Sequence, residues 1–183
     1  MNTSTPKTLV HKLGLPFLVA IIGVIIMIVA IFLPYISATG TLAEYIELLD
    51  STGYSELGVD VNPSMLSVKN VYSSVYSNDD GDIFFIIALV FCGAVALTAL
   101  FVLLKNAIVT IVLNLVACGA FAVLNSAVQE DLLGANKYAW GIGYYAIIVG
   151  AIVIFAGAVW MLVEKNIAKQ ASVEIPTADT IAE

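Results

Sequence analysis

Residues 83–128 read IFFIIALVFCGAVALTALFVLLKNAIVTIVLNLVACGAFAVLNSAV, and Lys105 is the single charged residue in this stretch. A bilayer core of about 30 Å needs roughly 20 apolar residues in a helix. One continuous helix of this length would measure roughly 69 Å at 1.5 Å per residue, far more than that thickness. We therefore predict two spans, residues 83–104 and 107–128, joined by a tight turn at residues 105–106.

Two further stretches have the same character. Residues 15–36 and 140–163 are long, apolar and free of charged side chains. The whole chain is 61% hydrophobic and only 11% charged, and a soluble domain of this size could not bury so much apolar surface. The sequence therefore predicts an all-α membrane protein, a four-transmembrane-helix bundle whose solvent is the lipid bilayer.

The lysines predict the orientation, because positively charged flanks of spans are retained in the cytoplasm. With both termini inside, only Lys69 and Lys137 of the seven lysines lie outside. The cytoplasmic parts are then a leader at residues 1–14, the tight turn, and a tail at residues 164–183 that we expect to be disordered. A short outer loop at residues 129–139 joins the third and fourth spans.

The first span has an alternative interpretation as a cleaved signal peptide. Lys7 and Lys12 precede it, and residues 38–40 offer a small-x-small cleavage site. Its apolar core is longer than that of the usual signal peptide, so we expect the span to be retained in the membrane. Either outcome leaves the loop that follows on the outer side.

The loop between the first two spans, residues 37–82, holds the net charge of the protein. It contains eight acids and a single base, Lys69, so its net charge equals the −7 of the whole chain. Two apolar stripes at helical spacing predict short amphipathic helices, one at residues 41–50 and one from Asn62 to about residue 78. We expect both helices to cover the outer ends of the spans, with Tyr45 at headgroup depth.

The sequence SNDDGD at residues 77–82 places three carboxylates close together: Asp79, Asp80 and Asp82. Such hard oxygens could hold a cation such as Ca²⁺, although the spacing and the bidentate Glu of an EF-hand are missing. Asp-Gly is also ordinary turn chemistry, and Asp82 can cap the second span at its positive end. We favour the turn and cap, and predict neither a bound metal nor a cofactor.

Inside the predicted spans polar groups are few, and there is no Asp, Glu, Lys, Arg or His, whereas ion-coupled transporters place such residues at membrane depth. Asn114 lies deepest among the amides, and we expect it to hydrogen-bond a neighbouring helix rather than a substrate. Ala146, Gly150 and Gly157 form a stripe of small residues in the fourth span. Such stripes let helices approach closely, and packing within the bundle is favoured over packing between copies.

Signatures of catalysis and of nucleic-acid binding are missing from the sequence. It contains no GxxxxGK[ST], HExxH, GxSxG or clustered Cys and His, and its single histidine, His11, lies in the leader. It has no arginine and no basic patch, which argues against nucleic-acid binding. Glu44 and Glu47 lie one helical turn apart, but a solvated helix face produces that pattern more often than acid–base chemistry. We predict a protein without enzymatic activity.

FLPYIS at Phe32–Ser37 and YAWGIGYY at Tyr138–Tyr145 resemble segments of small uncharacterised four-span proteins of Gram-positive bacteria. The order of span, long outer loop, tight hairpin and last span also resembles the claudin-like topology. The outer loop contains neither Trp nor Cys, so the GLW and paired-cysteine signature of claudins is absent and no claudin functional residue can be transferred. The resemblance implies a four-helix fold and no particular activity.

We interpret the chain as a membrane protein that acts by binding, as a scaffold, an accessory subunit or an immunity-type factor. Its outer loop would meet a protein partner or a second copy. The candidate contact residues are the loop acids Glu44, Glu47, Asp79 and Asp80. The alternative is a small channel or carrier, formed by an oligomer that packs through the small-residue stripe of the fourth span around Asn114.

Overall fold

The computed structural model describes residues 14–51, 62–71, 80–133 and 138–173. Along the chain it has helix α1 (Leu15–Phe32), strand β1 (Ile36–Ala38), helices α2 (Gly40–Ser51), α3 (Asp80–Leu103) and α4 (Ala107–Val128), strand β2 (Tyr138–Trp140) and helix α5 (Ile142–Val173). A π-helical turn (Gln129–Leu133) continues α4 into the predicted outer loop at residues 129–139. Among the described residues, four helices are long and apolar enough to cross a membrane: α1, α3, α4 and α5. The prediction of a mainly helical protein with four candidate spans is thereby confirmed, while the two short strands were not predicted.

The four long helices pack in a ring that follows chain order. α1 packs most extensively against α5, α3 packs against α4, and the contacts of α4 with α5 and of α1 with α3 close the ring. Met27, Phe91, Leu124 and Ile154 are fully buried in its interior. The outward faces carry exposed Ile, Leu and Val side chains along all four helices. Helices that are apolar on every side are typical of a lipid environment.

α1 ends at Phe32, earlier than the predicted end of the first span at Ile36. Pro34 explains the difference, because proline has no backbone N–H and disfavours helical backbone in the residue before it. Leu33 is accordingly extended, with ψ 158°, and the chain continues as β1. The predicted first span therefore contains the whole of α1, an extended segment after it and the first residue of β1.

The turn between α3 and α4 closes with the two hydrogen bonds of a Schellman motif. The N–H of Asn106 donates to the carbonyl of Phe101 at 3.0 Å, and that of Lys105 donates to Val102 at 2.9 Å. Lys105 has φ 53° and occupies the left-handed position that glycine usually fills. The side chain of Asn106 then accepts from the N–H of Val109 and caps α4. The two helices thus meet in the tight turn that the sequence predicts.

α5 continues to Val173, well beyond the predicted end of the fourth span at Val163. The expectation of a disordered tail at residues 164–183 is therefore wrong for its first part. Residues 164–173 contain neither Gly nor Pro, and extending a helix that is already nucleated costs little. Glu164, Lys165 and Ile167 are exposed in this extension.

The long loop carries a helix, α2, where the first apolar stripe predicts one. Leu42 packs against the core of the bundle, whereas Tyr45 of the same stripe is 59% exposed. In the second predicted helix, residues 68–71 are helical and follow a turn. The remainder of that prediction, and the leader with Lys7, Lys12 and His11, lie outside the described residues.

Candidate functional site

Two segments that are distant in the sequence, FLPYIS and YAWGIGYY, pair with each other where α1 ends and α5 begins. We call this end of the bundle the loop end, and the opposite end, with the α3–α4 turn, the turn end. β1 and β2 form a two-stranded antiparallel sheet in which Ile36 lies opposite Trp140. We call residues 34–38 together with residues 138–143 the clasp.

Two glycines allow the clasp to close. The N–H of Gly141 donates to the carbonyl of Tyr35, and that of Gly143 donates to the carbonyl of Pro34, both at 2.8 Å. A Cβ atom on Gly141 would lie 2.3 Å from the Pro34 oxygen, and one on Gly143 would lie 2.9 Å from it. Only a residue without a side chain fits at these approaches.

A third segment of the chain, from the long loop, is bound to the clasp. The N–H of Tyr35 donates to the carbonyl of Pro63 at 2.8 Å, and Ser64 forms a β-bridge with Pro34. The turn that follows contributes Met65 to the hydrophobic core, where it is 2% exposed. This part of the loop is therefore held against the bundle by both backbone hydrogen bonds and apolar burial.

The side chain of Tyr35 lies beyond the end of α1 and points into the bundle, where it is fully buried. Its hydroxyl donates to Oδ1 of Asn125 on α4, and its ring lies edge-on to Phe121 and Trp140, at centroid distances of 6.2 and 5.7 Å. Trp140 in turn stacks on Tyr144 of α5 at 4.2 Å. Burial, with a smaller contribution from Tyr144, raises the pKa of the Tyr35 phenol well above its ordinary value, so the hydroxyl remains protonated and donates.

The base of the long loop is bound within the protein. The ammonium group of Lys69 forms an ion pair with the carboxylate of Asp82 in the first turn of α3. Its nitrogen also lies 5.4 Å from the centroid of the Phe85 ring. Asp82 therefore pairs with Lys69 instead of capping the helix, which begins two residues earlier at Asp80.

Of the four predicted contact acids, Glu44 is the one whose side chain lies in the described part of the chain. It is exposed on α2. Glu47 and Asp80 lie in helices, but their side chains are outside the described residues, as is the whole of Asp79. No group of three or more His, Cys, Asp or Glu in the described part of the chain could hold a metal ion. Since Asp79 and the side chain of Asp80 lie outside the described residues, the prediction that SNDDGD binds no metal stays a prediction.

The small residues of α5 face α1 within the same chain. A Cβ on Gly157 would lie 2.6 Å from the backbone nitrogen of Ala20, and one on Gly150 would lie 3.1 Å from the carbonyl of Gly23. Ala146 is half-buried against the core beside this contact. Because α1 occupies this face, an oligomeric channel would need a different contact surface.

Asn114 joins α4 to α5, as expected for an amide at this depth. It is 2% exposed, and its Nδ2 group donates to the backbone carbonyl of Ala151 at 3.1 Å. This hydrogen bond adds a directional contact to the packing of two apolar helices.

Comparison of the chain with known protein families, curated proteins and solved structures found no match. The structure itself defines the class, a bundle of four candidate membrane spans that is closed at one end by the clasp. Sequence reasoning missed the clasp, although Pro34 and the alternating Gly141 and Gly143 were visible signals. Three-residue strands are too short for the period-two pattern that identifies a strand.

Proposed function

We propose that the protein is an integral membrane protein with both termini in the cytoplasm, which acts by binding a basic protein partner on its outer side. It would serve as a scaffold, an accessory subunit or an immunity-type factor, without enzymatic chemistry. The exposed Lys105, Lys165 and Lys169 lie at the turn end of the bundle, which supports a cytoplasmic position for that end. The claudin-like order of elements is part of the same proposal.

The ion pair between Lys69 and Asp82 is the observation that carries this proposal. Residues 37–82 contain eight acids and one base, and that base is already bound to one of the acids. One lysine offsets one of the eight carboxylates, so the loop keeps a net charge of −7 by composition. A surface with such an excess of one charge attracts partners of the opposite charge and raises their association rate.

The clasp supports the proposal because it fixes parts of this loop before a partner arrives. Hydrogen bonds and a β-bridge hold Tyr35 against Pro63 and Pro34 against Ser64. α2 starts directly after β1 at Gly40, so its position follows from that of the sheet. A binding surface that is already ordered loses less conformational entropy on association.

The test is charge reversal in the loop of the full-length protein in native membranes. We expect the combined change of the four candidate acids to lysine to abolish recovery of the cross-linked partner: Glu44, Glu47, Asp79 and Asp80. Glu164→Lys is the matched control, since it reverses an exposed acid at the turn end and should leave recovery unchanged. Equal recovery from all three proteins would overturn the proposal.

Ionic strength provides a second reading of the same experiment. Screening by salt shortens the range of electrostatic attraction to about 8 Å at physiological ionic strength and to about 3 Å at 1 M. Recovery of the partner by the unmodified protein should therefore decrease as salt is raised. Recovery that does not depend on salt would contradict an acidic contact surface.

A further inference from the structure

Besides Tyr35, two threonines and one asparagine are buried in the part of the bundle that the structure describes: Thr98, Thr110 and Asn114. The hydroxyl of Thr98 donates to the carbonyl of Ala94 at 2.8 Å, and that of Thr110 donates to the carbonyl of Asn106 at 2.9 Å. Both hydroxyl protons are thus used within their own helices. The lone pairs of these oxygens are still able to accept.

Asn114 is different, because one half of its amide has no partner. Nδ2 donates to Ala151 on α5, but Oδ1 is buried and no donor among the described residues reaches it. A buried carbonyl oxygen without a hydrogen bond loses its hydration and gains nothing in return. Buried polar groups are nearly always paired, either with protein or with ordered water.

We propose that one water molecule binds beside α4 and donates one proton to Oδ1 of Asn114 and the other to Oγ1 of Thr110. Thr110 lies one helical turn before Asn114, so the two side chains share a face of α4. Both residues are almost completely buried. A buried water needs two to four polar partners, and these two oxygens supply two of them.

The residues around Asn114 favour a neutral ligand over a cation as the partner of its Oδ1 atom. The four predicted spans contain no Asp or Glu, so a cation at this depth would have no carboxylate to compensate its charge. Water is the smallest neutral molecule with two protons to donate. The water site is independent of the proposed binding function. That function concerns the acidic loop at residues 37–82, whereas Asn114 lies inside the bundle.

Water-edited solid-state NMR on the full chain in lipid vesicles tests the site. In the unmodified protein we expect magnetisation transfer from water to the side-chain amide of Asn114 and to the neighbouring signals of Ala151. Asn114→Leu should abolish the transfer to Ala151. Thr110→Val should reduce it at least about twofold, because the water loses one of its partners. Thr98→Val is the matched control on α3 and should leave the transfer to Ala151 unchanged.

Three outcomes would overturn the proposal. One is the lack of any transfer to Asn114 in the unmodified protein, a measurement that does not depend on whether a variant folds. Another is transfer to Ala151 that persists in Asn114→Leu. The third is a high-resolution structure in which the Thr110 hydroxyl itself donates to Oδ1 of Asn114.

Discussion

The backbone N–H of Gly141 donates to the carbonyl oxygen of Tyr35 at 2.8 Å. This hydrogen bond joins the residues that follow the first candidate span to those that precede the last one. It extends the ladder of β1 and β2 by one pair at the point where the chain enters α5. The contact also leaves no room for a side chain at position 141.

Gly141→Ala should destabilise the bundle by about 1–3 kcal/mol, the usual cost of overpacking a filled site. The new Cβ would lie 2.3 Å from the Pro34 oxygen, so β1 and β2 would have to separate. Denaturant unfolding in detergent micelles measures the change. Ala139→Ser alters an exposed residue of the same sheet and should have no measurable effect, and equal stabilities of the two variants would show that the clasp is unimportant.

Tyr35→Phe should lower the free energy of unfolding by about 1–3 kcal/mol, because it keeps the ring but leaves Oδ1 of Asn125 without its donor. Tyr35→Ala removes the ring as well and should cost about 3–5 kcal/mol. A double-mutant cycle with Asn125→Leu separates the hydrogen bond from the packing. Additive effects of Tyr35→Phe and Asn125→Leu would contradict the hydrogen bond.

Gly157→Ala should weaken the contact between α1 and α5, since its Cβ would lie 2.6 Å from the backbone nitrogen of Ala20. We expect a loss of about 1–3 kcal/mol from overpacking. Gly119→Ala is the matched change at an exposed position with open space around it, and should be neutral or stabilise its helix by up to about 1 kcal/mol. Thermal unfolding of both variants in the same detergent compares them, and the reverse order would disprove the close packing.

The turn between α3 and α4 should respond to changes in the backbone freedom of residue 105. Lys105 has φ 53°, a conformation that glycine adopts freely and β-branched residues resist. Lys105→Ile should therefore be about 1–2 kcal/mol less stable than Lys105→Gly. Both variants also lose the contact of the Lys105 nitrogen with the Phe17 ring at 5.1 Å, so their difference isolates the backbone effect. Identical unfolding midpoints would contradict it.

Lys69→Met should strengthen capture of the basic partner while leaving the bundle almost as stable as before. Asp82 is 63% exposed, and exposed ion pairs contribute only about 0–1 kcal/mol to stability. Without its lysine, Asp82 becomes available to a partner. Binding assays at low and high salt check the effect, and weaker capture by Lys69→Met would argue against a basic partner.

Hydropathy predicted the four long helices well, because apolar length is a direct physical requirement for crossing a bilayer. The third span was predicted at residues 107–128, and α4 is Ala107–Val128. The ends of the other spans differ where local backbone chemistry decides them. Pro34 ends α1 early, and continued helix propagation carries α5 to Val173.

The clasp and the polar contacts of the interior could not be predicted in the same way. They depend on which helices become neighbours, and hydropathy gives no information about that. Asn114 was expected to bond a neighbouring helix, but its acceptor, Ala151, is identified by the antiparallel register of α4 and α5. Tyr35 was read as part of a span, whereas its burial follows from the turn that Pro34 imposes.

The pairing of α1 with α5 has a consequence for biogenesis. α1 is synthesised before the other three candidate spans, but its most extensive neighbour, α5, is the last of the four. α3 and α4 are consecutive and can form their hairpin as soon as both have been synthesised. A nascent chain that stops before Tyr138 lacks both β2 and the helix that covers α1. Until α5 has been synthesised, α1 must therefore rely on its smaller contact with α3.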